Sequence, residues 1–456
     1  MHLIDLSRRK MLLASSYGLV TLGAPNVWAQ AAPAGAKRSD TGRLIVVMLR
    51  GAYDGLSAFV PYADADYYAL RPNISIAAPD GTAATAIKLD SRFALNPALA
   101  PLLPLWQQGV LSVIPSAGLP APNRSHFAAQ YEMEIAQSGK TSAAPGWLNK
   151  AASSNSKTQV AGIGVDNKNT YAIGVGEANP AILSGDAPVK LIARGQAAER
   201  TGVLANDKTR QALMDLYSGN DKVSEAFRQG SGSRMQSAQE LSTEKMELDG
   251  KRAGPPQDHT LDKDGTPKTA QAQNAQMLAA SNGAADPVGL QLDAQHLGVL
   301  MRNDRNLKLG FLSAGGWDTH ANQGNATGQL ANNLANLGRA ITQLRKDFSE
   351  PGDVVIVMSE FGRTAQENGS RGTDHGFGNA MWLVGSRVNG GKWHGQWTGM
   401  SRGNLNESRD LPAHHDYRAV LAQVMRATFG TTDSALASLL PNANWDARLD
   451  GLMRKS

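Results

Sequence analysis

Asp318 and His320 stand two residues apart in Gly315-Gly316-Trp317-Asp318-Thr319-His320, directly after the apolar run Leu307-Lys308-Leu309-Gly310-Phe311-Leu312. In an extended chain residues i and i+2 project to the same side, so a carboxylate oxygen and an imidazole nitrogen can meet one cation. The same pair can also serve as a polar turn. Glu360 follows another apolar run, Val354-Val355-Ile356-Val357-Met358, and a charge at the end of a buried strand needs a partner, either a cation or Arg363. Asp54 follows Arg50-Gly51 after the run Leu44-Ile45-Val46-Val47-Met48-Leu49; its alternative is to shape the turn into Gly55. Asp374-His375 precedes Met381-Trp382-Leu383-Val384, and there Asp374 can be a ligand or can orient a structural His375. Together Asp54, Asp318, His320, Glu360, Asp374 and His375 form an oxygen and nitrogen set. It suits zinc first, with calcium, magnesium or manganese as alternatives.

Ser125, in Asn123-Arg124-Ser125-His126, opens a helical pattern. It reads as an N-cap, or as a nucleophile whose hydroxyl would be activated by a metal, at a helix N-terminus that favours an anion. Asn123, His126 and Arg363 are then candidates to hold substrate oxygens.

These residues need a scaffold that gathers strand ends. Short, continuous apolar runs at residues 44–49, 110–114, 307–312, 354–358 and 381–384 read as strands buried on both faces. Helical patterns at 97–107, 125–137, 292–302 and 328–348 lie between them, so the expected fold class is α/β, a mainly parallel sheet sandwiched by helices. Ligands of such sheets collect beyond the carboxyl ends of the strands, where the polar residues above fall. His394, His414 and His415 read as structural, with Asp416 as the N-cap of the last helix. Residues 40–456 are expected to form one domain, with a low-complexity insertion at about 229–286 that is part helix, near 235–246, and part loop.

Ser7-Arg8-Arg9-Lys10, a mildly apolar stretch and Ala29-Gln30-Ala31 have the layout of a twin-arginine export signal over residues 1–31. This predicts a periplasmic or secreted protein handled by the twin-arginine machinery, with no membrane span in the mature chain. The net charge of +5, of which the leader holds +2, implies no nucleic acid. With no cysteine in the chain, thiolate sites and cysteine nucleophiles are excluded.

The leader and the ordered motifs "LRGAYDGLSAFVPY", "NRSHFAAQ", "GGWDTHANQ", "SEFGRT" and "TDHGFGNAMWLVGSRVNGGKW" resemble the domain of unknown function 1501 family, which looks related to the alkaline phosphatase and sulfatase superfamily. The resemblance implies an alkaline phosphatase-like fold, Asp54 as a ligand, Ser125 as nucleophile, and Asp318 with His320 on one metal. It further implies Glu360 on another metal or bridging, His375 as the late histidine, and Asp374 as an extra ligand or orienting group. This chain departs from the superfamily in spacing, Asp-x-His for Asp-x-x-x-His, and has Phe361 where a His follows the acid. It also lacks the sulfatase activation signature. The expectation is a metal-dependent hydrolase of small anionic esters or envelope polymers, phosphate before sulfate. The alternatives are a metal-stabilised periplasmic scaffold or binding protein, and a phosphotransferase or isomerase on envelope sugars.

Overall fold

Leu44–Leu49 forms strand β1 with all six side chains buried. Alternation divides them between two cores: Leu44, Val46 and Met48 face one, Ile45, Val47 and Leu49 the other. A strand hydrophobic on both faces must be covered on both, which is the physical origin of the layered fold. The computed structural model describes residues 42–139, 143–153, 157–164, 169–177, 180–249 and 268–455. The expected export signal lies outside them.

The other strands of the main sheet are β2 (Leu111–Gly118), β3 (Ala172–Val175), β4 (Val189–Ile192), β5 (Leu309–Ala314), β6 (Val354–Ser359), β7 (Asn379–Gly385), β8 (Lys392–Trp393) and β9 (His415–Asp416). The nine-stranded sheet runs β8-β2-β7-β6-β1-β5-β3-β4, with β9 also paired to β2. Its pairings are parallel except for β7, which is antiparallel to both β6 and β2. Every apolar run read from the sequence is a strand of this sheet. Strands β3 and β4 are additional; each is four residues long and its apolar run is interrupted, by Gly174 and by Lys190, so no pattern stands out.

Helix α1 (His126–Ile135) and helix α6 (Tyr417–Phe429) cover one face, through Ala129 and Met133 and through Val420, Val424 and Met425. Helices α4 (Leu290–Asn303) and α5 (Gln329–Asp347) cover the other, with Leu297, Leu334, Leu337 and Ile341. The segment expected as an insertion contributes α2 (Lys222–Asp249), a 28-residue helix longer than the stretch predicted, and α3 (Lys268–Ser281). Among the described residues no helix is long and apolar enough to cross a membrane.

Register decides where the chemistry collects. Leu49 pairs with both Ala314 and Ser359, so β1, β5 and β6 end at one level and residues 50, 315 and 360 leave the sheet together. Because β7 runs the other way, its start lies at that same rim, and Asn379 there donates from Nδ2 to the carbonyls of Tyr53 and Phe361, 2.9 Å each. One amide thus ties the loops after β1 and β6 to each other.

Candidate metal centre

The loop after β5 is anchored by Trp317, fully buried, whose indole donates to the Ala314 carbonyl at 3.0 Å. Asp318 then turns inward. Its Oδ1 lies 3.4 Å from His126 Nε2, 3.2 Å from His375 Nε2 and 2.9 Å from His320 Nε2. His375 Nε2 is 2.9 Å from His126 Nε2 and 3.1 Å from His320 Nε2. The ligand atoms of His126, Asp318 and His375 all lie within 4.8 Å of one another. Four-coordinate zinc with bonds near 2.0–2.1 Å has ligand-to-ligand edges of about 3.3 Å, so the spacing fits a cation at the centre. Asp318 Oδ2 is buried with no hydrogen-bond partner, a lone-pair site left free.

The far nitrogen of each imidazole has an acceptor. His126 Nδ1 meets Glu360 Oε1 at 2.7 Å, His320 Nδ1 meets Asp374 Oδ1 at 3.2 Å, and His375 Nδ1 meets the Arg124 carbonyl at 2.9 Å. Acceptors at Nδ1 hold the proton there and leave the Nε2 lone pair facing inward, the tautomer a metal ligand requires. Three inward lone pairs and a carboxylate repel one another unless a cation or protons lie between them. Burial pulls the His126 pKa down, but Asp318 and Glu360 outweigh that and raise it to about 9. Burial opposes ionisation of Asp318 as well, yet the three imidazoles and Arg363 hold its carboxyl far below the usual range.

A family profile covers residues 41–439 of the 456. The chain belongs to the family described as Protein of unknown function (DUF1501). A comparison with curated proteins finds no match.

In this DUF1501 protein the sequence-predicted residues separate into layers. Asp318, His320 and His375 gather as ligand candidates, joined by His126, which had been read as a substrate contact. Glu360 and Asp374, expected as ligands, stand one layer out. Glu360 is fully buried and also accepts from Gly51 N at 2.7 Å and Gln130 Nε2 at 2.9 Å, so its oxygen Oε1 is occupied in orienting His126. Asp374 orients His320 and accepts from Asn368 Nδ2 at 3.0 Å.

Asp54, expected as a ligand, is a correction. It caps the short helix Gly55–Ala58 by accepting from Leu56 N, and its carboxylate is closed off by Arg71, Ser57 and Gln323 at 2.6–2.7 Å. Arg363 is corrected too. It is buried, donating to Asp318 Oδ1 at 2.7 Å and to Thr373 Oγ1 at 3.1 Å, and is not open to a substrate. Asn123 shapes the loop, accepting from Ser125 N at 3.1 Å and donating to Glu132 at 2.9 Å, so its amide is engaged at both ends. Ser125 is exposed at the N-cap of α1 and makes no side-chain capping bond.

The residues missed by sequence reasoning are Gln130, Arg71, Gln323 and Thr373. Gln130 had a signal: it lies four residues after His126 on one helix, hence on the same face, and both side chains reach the same oxygen of Glu360. Arg71 and Gln323 carried none, since their contacts with Asp54 span 17 and 269 residues.

Proposed function

We propose that this chain is an exported metal-dependent hydrolase of phosphate esters, related in fold to the alkaline phosphatase-like enzymes, with sulfate esters as a lesser substrate class. The observation that carries the reading is the convergence of three imidazole Nε2 atoms on Asp318 Oδ1, each imidazole anchored at Nδ1 by its own acceptor. His126, Asp318 and His375 would hold the ion, zinc by this donor set, leaving the fourth position to the ester. When bound, the ion would polarise the ester oxygens as a Lewis acid.

The remaining work falls to the chain. His320 and His375 are the members of the cluster that reach solvent, 24% and 22% exposed against 1% for the Asp318 side chain, so an ester approaches from their side. Ser125, exposed at the N-cap of the ten-residue helix α1, is the nucleophile in this reading; the free amides there favour the phosphate anion. His320, held through Nδ1 by half-exposed Asp374, is placed to take up and return a proton at that open edge. The twin-arginine leader supports folding around the ion before export and a periplasmic location.

Metal analysis of the purified protein, with phosphomonoester, phosphodiester and sulfate ester probes, tests the proposal. Asp318→Asn is expected to lose the ion and all turnover. His320→Ala is expected to keep an ion while turnover falls by about 10²-fold or more, the size of a lost acid–base contribution. Ser125→Ala should abolish turnover with metal content unchanged. A metal-free wild-type protein overturns the metal reading; a metal-loaded protein inert on every probe, with Ser125→Ala silent in cells, points to a metal-stabilised scaffold instead.

A further inference from the structure

We propose that the guanidinium of Arg363 takes the place of a second metal ion, so that the centre is mononuclear, with Asp318 shared between one divalent cation and one permanently charged side chain. This rests on the metal reading above. Asp318, Asp54 and Glu360 are the buried carboxylates at this rim that a second ion would draw on, and each is already engaged, Glu360 by His126, Gln130, the Gly51 amide and Ser359 Oγ. Arg363, its side chain 0% exposed, donates from Nη1 to Asp318 Oδ1 at 2.7 Å. Arg71, also 0% exposed, holds Asp54 Oδ2 at 2.6 Å.

The two pairs are wired together. Gln323 donates from Nε2 to Asp54 at 2.7 Å and accepts at Oε1 from Thr319 Oγ1 at 2.9 Å and from Thr373 Oγ1 at 3.0 Å. Thr373 in turn accepts from Arg363 Nε at 3.1 Å and receives a further bond from Arg363 at its carbonyl. Of the two carboxylate oxygens of Asp318, Oδ1 is engaged and Oδ2 is without a partner. A guanidinium keeps its charge throughout the physiological range, so this cation is fixed. Buried guanidinium–carboxylate pairs are held strongly because separating them strands a charge. The consequence is a site whose ligand carboxylate is partly neutralised in advance, which limits how many ions it takes and how tightly it holds the first.

The test is zinc titration of chelator-stripped wild-type protein, Arg363→Gln and Arg363→Lys against a chromogenic competitor, with stoichiometry from elemental analysis. Wild type and Arg363→Lys should each bind one equivalent with affinities within about threefold. Arg363→Gln should bind zinc at least about tenfold more tightly, because a repelling charge has left a ligand in low dielectric. A merely structural role for Arg363 would weaken binding in both variants, and that result overturns the proposal. Two equivalents in wild type also overturn it while leaving the metal reading intact, whereas no bound ion in wild type overturns both. If Arg363→Gln fails to fold, Arg363→Lys decides: wild-type stoichiometry and affinity support the proposal, a second equivalent or a lost ion refutes it.

Discussion

Glu360 and Asp54 are both fully buried carboxylates at the ends of core strands, and their partners assign them opposite roles. Glu360 accepts from His126, Gln130 and the Gly51 amide, so its charge serves the imidazole that faces the cluster. Burial opposes its ionisation, but His126 and Gln130 keep its pKa below the usual value. Glu360→Gln should therefore lower metal affinity by about 10–100-fold, the range for lost outer-shell partners, while the chain stays folded. Asp54 likewise ionises below its usual value because Arg71 and its hydrogen bonds outweigh burial. It should behave the other way: Asp54→Asn should leave metal content unchanged and reduce stability by about 3–5 kcal/mol, the penalty for stranding a buried Arg71. Paired metal analysis and urea unfolding of the two variants separate these outcomes.

At the scale of elements, the site depends on how closely loops can approach. Gly51 has φ +111° and donates to Glu360, and a Cβ there would sit 2.8 Å from the Asp318 amide nitrogen. Gly51→Ala must push the loops after β1 and β5 apart. The expected result is loss of both stability and zinc affinity, read by thermal unfolding with and without zinc; a variant with wild-type affinity would show that loop spacing does not set the site.

The edge strand β9 poses a separate problem of charge. His415 is buried, with Nδ1 on Asp446 at 2.7 Å and Nε2 accepting from Gln396 N at 2.7 Å, an arrangement for the neutral ring. Burial lowers its pKa against the pull of Asp446, and the Asp446 carboxyl, despite some burial, is drawn down to about 2 by Arg448 and His415. Both shifts act in one direction. Below about pH 6.5 the unfolded chain takes up a proton that folded His415 refuses; below about pH 4 it takes up one that folded Asp446 refuses. Stability contributed here is thus present at neutral pH and lost on acidification. His415→Gln should flatten the fall in the urea midpoint between pH 7 and 5, whereas an unchanged slope would exclude the pair as a source of acid sensitivity.

For the whole molecule, the sheet and its two cores hold the rim, and the rim in turn holds a cluster that is self-repelling without a cation. A ligand that binds only the folded state adds RT ln(1 + [L]/Kd), about 2.7 kcal/mol at a hundredfold excess over Kd. Zinc should accordingly raise the melting temperature and a chelator should lower it, with Asp318→Asn indifferent to both. Differential scanning calorimetry at several zinc concentrations checks this, since a melting temperature independent of zinc would mean that the converging side chains do not bind it.

The five core strands were legible because a run of four to six apolar residues is a local property, and burial on both faces of the sheet requires it. The rim was legible for a related reason, since polar residues placed immediately after such runs have one place to go. The direction of β7 and the four-residue strands β3 and β4 were not, because pairing is settled between distant segments. Within the site, Asp318, His320 and His375 could be named from type and position. Whether Glu360 or His126 would face the centre, and whether Asp54 would find a cation or Arg71, depended on which side chains came within about 3 Å after folding. Sequence by itself thus determined which residues reach the rim; tertiary structure decided which of their atoms face one another, because hydrogen bonds and ion pairs are set by ångström distances that chain spacing does not encode.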